Sequence, residues 1–333
     1  MPVDSQIQEI LDQYAKFNVP PIPTLSPGNA RNLPTLNNAV AELVATHTSK
    51  RLMSVASPSP EPVGSIRHIL MPGGETEILA RVYTPEAEGP FPALVYFHGG
   101  GWVIANLDVY DASCRALCNA AQCVVVSVAY RQAPEHKFPA AVEDANAAVQ
   151  WVINNAAQLN CDATRVAVGG ESAGGNLATV ACLMARDRQG IMPIFQLLIY
   201  PVTNYGYNFP SYNENAQAKP LSSDMMPWFW KHYLSDTSDG ENPYVSPLRF
   251  ANLSGLPPAL IITAQYDPLR DEGEAYGEQL RQAGVMTTIS RYDDMVHEFF
   301  GLAGMVSKAK LAVDEAGQTL QDAFMKSARS STA

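Results

Sequence analysis

The sequence predicts an α/β fold: a central, mostly parallel, eight-stranded sheet flanked by helices, with a helical cap. Three observations predict it. After about residue 60, strand-length apolar runs alternate with helix-length amphipathic ones. Runs such as Ala93–Phe97 and Cys123–Ala129 are apolar nearly throughout, the pattern of parallel strands covered on both faces. The 333 residues, 47% of them hydrophobic, suffice for one large core.

The elements follow in order. Ile7, Ile10, Leu11, Tyr14 and Phe17 recur at helical spacing, and a proline-rich break follows at Pro20, Pro21, Pro23 and Pro27. A second helix is predicted from about Thr35 to Thr46, then a second break around Pro58, Pro60 and Pro62. Residues 1–60 thus read as the N-terminal part of a cap. Ser65–Met71 and Glu77–Thr84 form a predicted hairpin across Pro72-Gly73-Gly74. Strands are then expected at Ala93–Phe97, Cys123–Ala129, Arg165–Gly169, Phe195–Tyr200, Ala259–Ala264 and Thr287–Tyr292. Helices fall between them at Asp108–Ala121, Ala140–Ala157, Ala173–Arg188 and Glu272–Ala283, with a last one to about Met325. Residues 205–240 break this rhythm with aromatics, Asn and Pro, and read as a second cap segment. The catalytic core is therefore expected in 61–204 and 241–333.

Composition excludes several functions. Lys+Arg 22 against Asp+Glu 33 gives a net charge of −11, which repels a phosphate backbone, so no nucleic-acid partner is expected. No apolar run reaches the ~20 residues of a spanning helix, and the N-terminus lacks a signal-peptide pattern. The expectation is a cytoplasmic protein without stable membrane insertion. The five cysteines, Cys114, Cys118, Cys123, Cys161 and Cys182, are odd in number and widely spread. They read as buried, reduced thiols rather than a disulfide framework or a metal site.

The chemistry concentrates at predicted strand carboxyl ends, where ligands bind in such sheets. Arg165–Gly169 runs into Gly170-Glu171-Ser172-Ala173-Gly174, and a helix starts at once. A serine on so sharp a turn needs small neighbours on both sides, and it sits at a helix N-terminus that favours negative charge. Ala93–Phe97 runs into His98-Gly99-Gly100-Gly101, whose backbone N–H groups suit a developing oxyanion. Asp267 and His297 follow later strands, and the order Ser172, Asp267, His297 suits nucleophile, acid and base. Asp271 is read as the cap of the following helix, and Asp293, Asp294 and Glu298 as rival acids near His297. His47, His68, His136 and His232 have no partner pattern.

The chain closely resembles the bacterial hormone-sensitive-lipase-like esterases of the α/β-hydrolase superfamily. The matching stretches are HGGGW at His98–Trp102, YRQAPEHKFPAAVEDA at Tyr130–Ala145, GESAGGN at Gly170–Asn176, DPLRDEG at Asp267–Gly273 and HEF at His297–Phe299. The resemblance implies Ser172 as nucleophile, His297 as general base, Asp267 as orienting acid, and the N–H groups of Gly100, Gly101 and Ala173 as oxyanion donors. It implies small-molecule esters of short to medium acyl chain, with no cofactor and no metal. Two departures stand out: Glu171 where the family often has Asp, and Glu298 where it often has Gly. Glu135 and Asp144 read as supports of the loop in the second stretch. Trp102, Phe17, Met226, Trp228 and Phe229 are the candidates for the substrate pocket. Thr287–Tyr292, as an exposed edge strand, offers a route to a homodimer.

Overall fold

Eight of the apolar runs pair into one sheet in this computed structural model, which describes residues 2–50 and 60–330, and their side chains at 2–46 and 60–328. The strands are β1 (Ser65–Pro72), β2 (Glu77–Thr84), β3 (Phe91–Phe97), β4 (Val124–Val128), β5 (Cys161–Glu171), β6 (Gln196–Ile199), β7 (Ala259–Tyr266) and β8 (Thr287–Val296). Their order is β1-β2-β4-β3-β5-β6-β7-β8. The β1–β2 hairpin and the β2–β4 pair are antiparallel, and every later pair is parallel. As expected, β8 is an edge strand.

The helices are α1 (Ser5–Ala15), α2 (Pro27–Ala30), α3 (Leu36–Lys50), α4 (Asp111–Ala121), α5 (Ala140–Asn154), α6 (Ala173–Asp187), α7 (Pro210–Glu214), α8 (Met225–Tyr233), α9 (Arg270–Gln282) and α10 (Ser307–Ser330). Alternate strand residues feed two cores, one on each side of the sheet. Val95, Val126 and Val168 pack with α5, α6 and α9, while Leu94, Tyr96, Val125 and Ala167 pack with α1, α3, α4 and α10. All five cysteines are buried and unpaired in these cores, and burial pushes the thiols of Cys118 and Cys161 up to about 12. No helix among the described residues is long and apolar enough to cross a membrane.

The first helix ends earlier than its spacing predicts. Asn18 turns left-handed at φ 49° and the prolines follow, so Phe17 leaves the helix and packs edge-on to Tyr14. Asp271 is not a cap. α9 begins one residue earlier, and the Asp271 carboxylate accepts the N–H of Ser211 at 2.8 Å, tying α7 to α9. The side chain of His47 and the break residue Pro58 lie outside the described residues.

Strand register sets the site. Phe97 of β3 pairs with Gly170 of β5, so the His98 loop emerges beside Ser172. Tyr266 of β7 pairs with Val296 of β8, so Asp267 and His297 emerge side by side. β3 lies between β4 and β5, where the order of strands reverses, and the crevice of such a sheet opens there.

Candidate active site

Ser172 stands between β5 and α6 with φ 57° and ψ −119°, a conformation that L-residues avoid. Its N–H donates to the Ile199 carbonyl at 2.9 Å, and its own carbonyl accepts from Asn176 and Val202. The flanking glycines are sterically required. A Cβ at Gly174 would overlap the carbonyl of Phe97, and one at Gly170 would overlap that of Gly174. The turn thus holds Ser172 at the mouth of the crevice with its hydroxyl clear of the sheet.

The three side chains drawn from distant motifs meet there. His297 Nε2 lies 3.0 Å from Ser172 Oγ, and His297 Nδ1 lies 2.6 Å from Asp267 Oδ2. Asp267 is fully buried, and its other oxygen accepts the N–H of Leu269 at 2.9 Å. The rival acids point elsewhere. Asp294 pairs with Lys308 at 2.8 Å, and Asp293 lies exposed on β8. Burial works against the imidazolium of His297, but Asp267, with smaller help from Glu298 and Glu171, outweighs it and holds the pKa above the usual histidine value.

Gly100 and Gly101, at φ 98° and 57°, occupy conformations that favour glycine, and a Cβ at Gly101 would enter the ring of Phe229. Among the described residues nothing accepts a hydrogen bond from the N–H groups of Gly100, Gly101 or Ala173. The loop itself is tied down. Tyr130 donates to the His98 carbonyl at 2.9 Å, and Arg31 donates to the Val103 carbonyl at 2.8 Å. His98 is buried against Tyr130, and burial lowers its pKa to about 4, so it stays neutral. Glu135 holds Arg31, and Asp144 holds Arg131 and the Gly74 N–H, which are supporting roles. The Arg31 guanidinium holds the Glu135 carboxyl down to about 2.

Above Ser172 and His297 lies a cavity of about 120 Å³. Met226 and Phe229 of α8 line it, as expected, together with Ile22, Leu221 and Tyr14. Trp102, Phe17 and Trp228 do not. Trp228 turns away to donate its N–H to the Leu25 carbonyl at 3.1 Å, joining α8 to the N-terminal segment. Phe17 is drawn off by the early end of α1. Trp102 is fully buried and stacks on Tyr233 with ring centroids 4.2 Å apart. Among the described residues its indole N–H has no partner, a cost of about 1–3 kcal/mol. Burying about 150–250 Å² of ring returns roughly 4–6 kcal/mol at about 25 cal/mol per Å², so packing wins. Trp102 therefore locks α8 to the glycine loop instead of facing the cavity.

The sequence reading missed the surroundings of Glu171. Its buried carboxyl accepts from the hydroxyls of Tyr96 and Tyr200, and burial nonetheless raises its pKa. The Tyr200 ring also packs on His297, 4.6 Å between centroids. The only sequence signal was a tyrosine in the otherwise apolar strand β3, where a hydroxyl must find a partner.

These features agree with what the chain is similar to. A family model described as the alpha/beta hydrolase fold matches residues 94–301. The carboxylic ester hydrolase LipN of Mycobacterium tuberculosis is 42% identical over 78% of this chain and 71% of its own length. Carboxylesterase NlhH of the same organism is 45% identical over 71% and 75%. The solved structure of a hyperthermophilic esterase from Pyrobaculum calidifontis superposes with a TM-score of 0.86 at 39% identity, covering 97% of this chain and 99% of that one. The chain belongs to the α/β-hydrolase fold family, among its hormone-sensitive-lipase-like esterases.

Proposed function

We propose that Ser172, His297 and Asp267 hydrolyse carboxylic esters of short to medium acyl chain through an acyl-enzyme. The observation that carries this is the unbroken chain of contacts from Asp267 through His297 to Ser172, at 2.6 and 3.0 Å. His297 Nε2 takes the Ser172 proton as Oγ attacks the ester carbonyl. Asp267 fixes the ring through Nδ1 and stabilises the imidazolium. The N–H groups of Gly100, Gly101 and Ala173 receive the oxyanion, and each such donor is worth about 10²–10³-fold in kcat. His297 then protonates the leaving alcohol. Water repeats the sequence and releases the acid. In this reading, residues 1–60 and 205–240 form the cap that shapes the cavity, and the compartment is the cytoplasm.

A hydrolysis series with p-nitrophenyl esters of rising acyl length tests the reading. Activity is expected to fall with length, as the cavity closed by Met226 and Phe229 fills. Phe229→Ala removes a wall and is expected to move the best substrate to a longer chain. An unchanged length profile in that variant would place the acyl group elsewhere.

The pH dependence follows from His297. The base works only when neutral, so activity is lost as pH falls through its pKa. Because that pKa is raised, the acid limb of kcat/KM is expected to have its midpoint above 6.5. A midpoint below that value would mean that Asp267 does not stabilise the imidazolium in the free enzyme.

A further inference from the structure

Beside the substrate cavity lies a second pocket, of about 20 Å³, room for one water molecule. Glu298 lines both this pocket and the substrate cavity. The remaining wall includes Tyr110, Ser113, Glu171 and Gly301. Two features set it apart from a packing gap. First, among the described residues the buried hydroxyls of Tyr110 and Ser113 have only imperfect partners: Tyr110 faces the Glu298 carboxyl and Ser113 the Glu171 carboxyl, each short of full hydrogen-bonding geometry. Buried hydroxyls with imperfect partners are costly, and a space of this size that two hydroxyls and two carboxyls line is where a bridging water sits. Second, Glu298 is held left-handed at φ 64°, a strained conformation for a residue with a side chain. The strain places a carboxyl directly after His297, on the wall between the two spaces.

We propose that this pocket holds and delivers the water that cleaves the acyl-enzyme, and that Glu298 is the residue that positions it. The proposal rests on the acyl-enzyme reading above. In the acyl-enzyme the chain fills the apolar cavity between Met226, Phe229 and Leu221, so water coming through that cavity must pass the acyl group. The small pocket meets that cavity at Glu298, the residue next to His297, the base that must meet the water. The water oxygen attacks the acyl carbonyl while one of its protons passes to His297 Nε2. The bond from the acyl carbon to Ser172 Oγ then breaks, and Oγ recovers the proton from His297. Glu298 exchanges no proton in this scheme; it accepts a hydrogen bond and fixes the water.

Competition between methanol and water tests this. The acyl-enzyme formed from p-nitrophenyl butyrate partitions into methyl butyrate and butyrate, and the product ratio is read directly. Methanol is too large for a 20 Å³ space and must come through the part of the substrate cavity that the p-nitrophenol has vacated, whereas in this proposal water comes through the pocket. Gly301→Ala places a Cβ 3.3 Å from Ser113 Oγ, within the lining of the pocket, and narrows it. Glu298→Leu keeps the bulk of the side chain and removes its acceptors. Each variant is expected to raise the ratio of methanolysis to hydrolysis about fivefold, the effect of one lost hydrogen bond. If Glu298 only tunes His297, both nucleophiles lose the same base equally and the ratio stays put. An unmoved ratio in either folded variant overturns the proposal, and Gly301→Ala decides alone if Glu298→Leu does not fold. Failure of the parent reading looks different: no p-nitrophenol is released in a Ser172-dependent way at all.

Discussion

Asp267→Asn is expected to lower kcat/KM on a short ester by about 10⁴-fold while leaving the fold intact, the size of effect seen when a buried triad acid becomes an amide. The reason is local. Leu269 N–H donates to one Asp267 oxygen at 2.9 Å, and His297 Nδ1 faces the other at 2.6 Å. In the variant the backbone donor claims the amide oxygen. The amide nitrogen is then left facing Nδ1, which must become an acceptor. The ring proton moves to Nε2, and His297 presents a donor to Ser172 where it must accept. The residue is isosteric, so thermal unfolding should change little while activity collapses. Recovery of activity to within tenfold of wild type would show that the tautomer is not set by Asp267.

Ser172→Ala is expected to remove more, about 10⁴–10⁶-fold in kcat, together with the burst of p-nitrophenol that marks acyl-enzyme formation. Alanine tolerates the φ of 57° no worse than serine does, and the elbow's backbone hydrogen bonds to Ile199, Asn176 and Val202 do not use the hydroxyl. The variant should therefore fold like wild type. Ester turnover by Ser172→Ala equal to that of wild type would sink the mechanism. Loss of turnover together with loss of fold would point to the elbow rather than the nucleophile.

Much of this was legible in the sequence because it rests on residue types that chemistry leaves little freedom to change. Glycines at 170 and 174 are demanded by carbonyls that an added Cβ would overlap, and apolar β3 and β4 announce a sheet covered on both faces. What was not legible depended on direction. Trp102 looked like a pocket residue because it follows the glycine loop, but at φ 60° its indole swings down onto Tyr233. Phe17 continued a helical spacing that the left-handed Asn18 brings to an end. The contacts of Glu171 with Tyr96 and Tyr200 join residues 75 and 29 positions apart, and no local pattern encodes them.

The two register pairs, Phe97 with Gly170 and Tyr266 with Val296, have a consequence for how such a chain diverges. They store the geometry of the reacting groups in main-chain ladders, which are indifferent to most side-chain replacements. Much of the cavity wall comes instead from α8, the segment at Leu221 and the N-terminal segment, which lie outside the sheet. Inheritance can therefore rewrite what the enzyme accepts, residue by residue, while the bond-breaking apparatus passes unchanged from one descendant to the next.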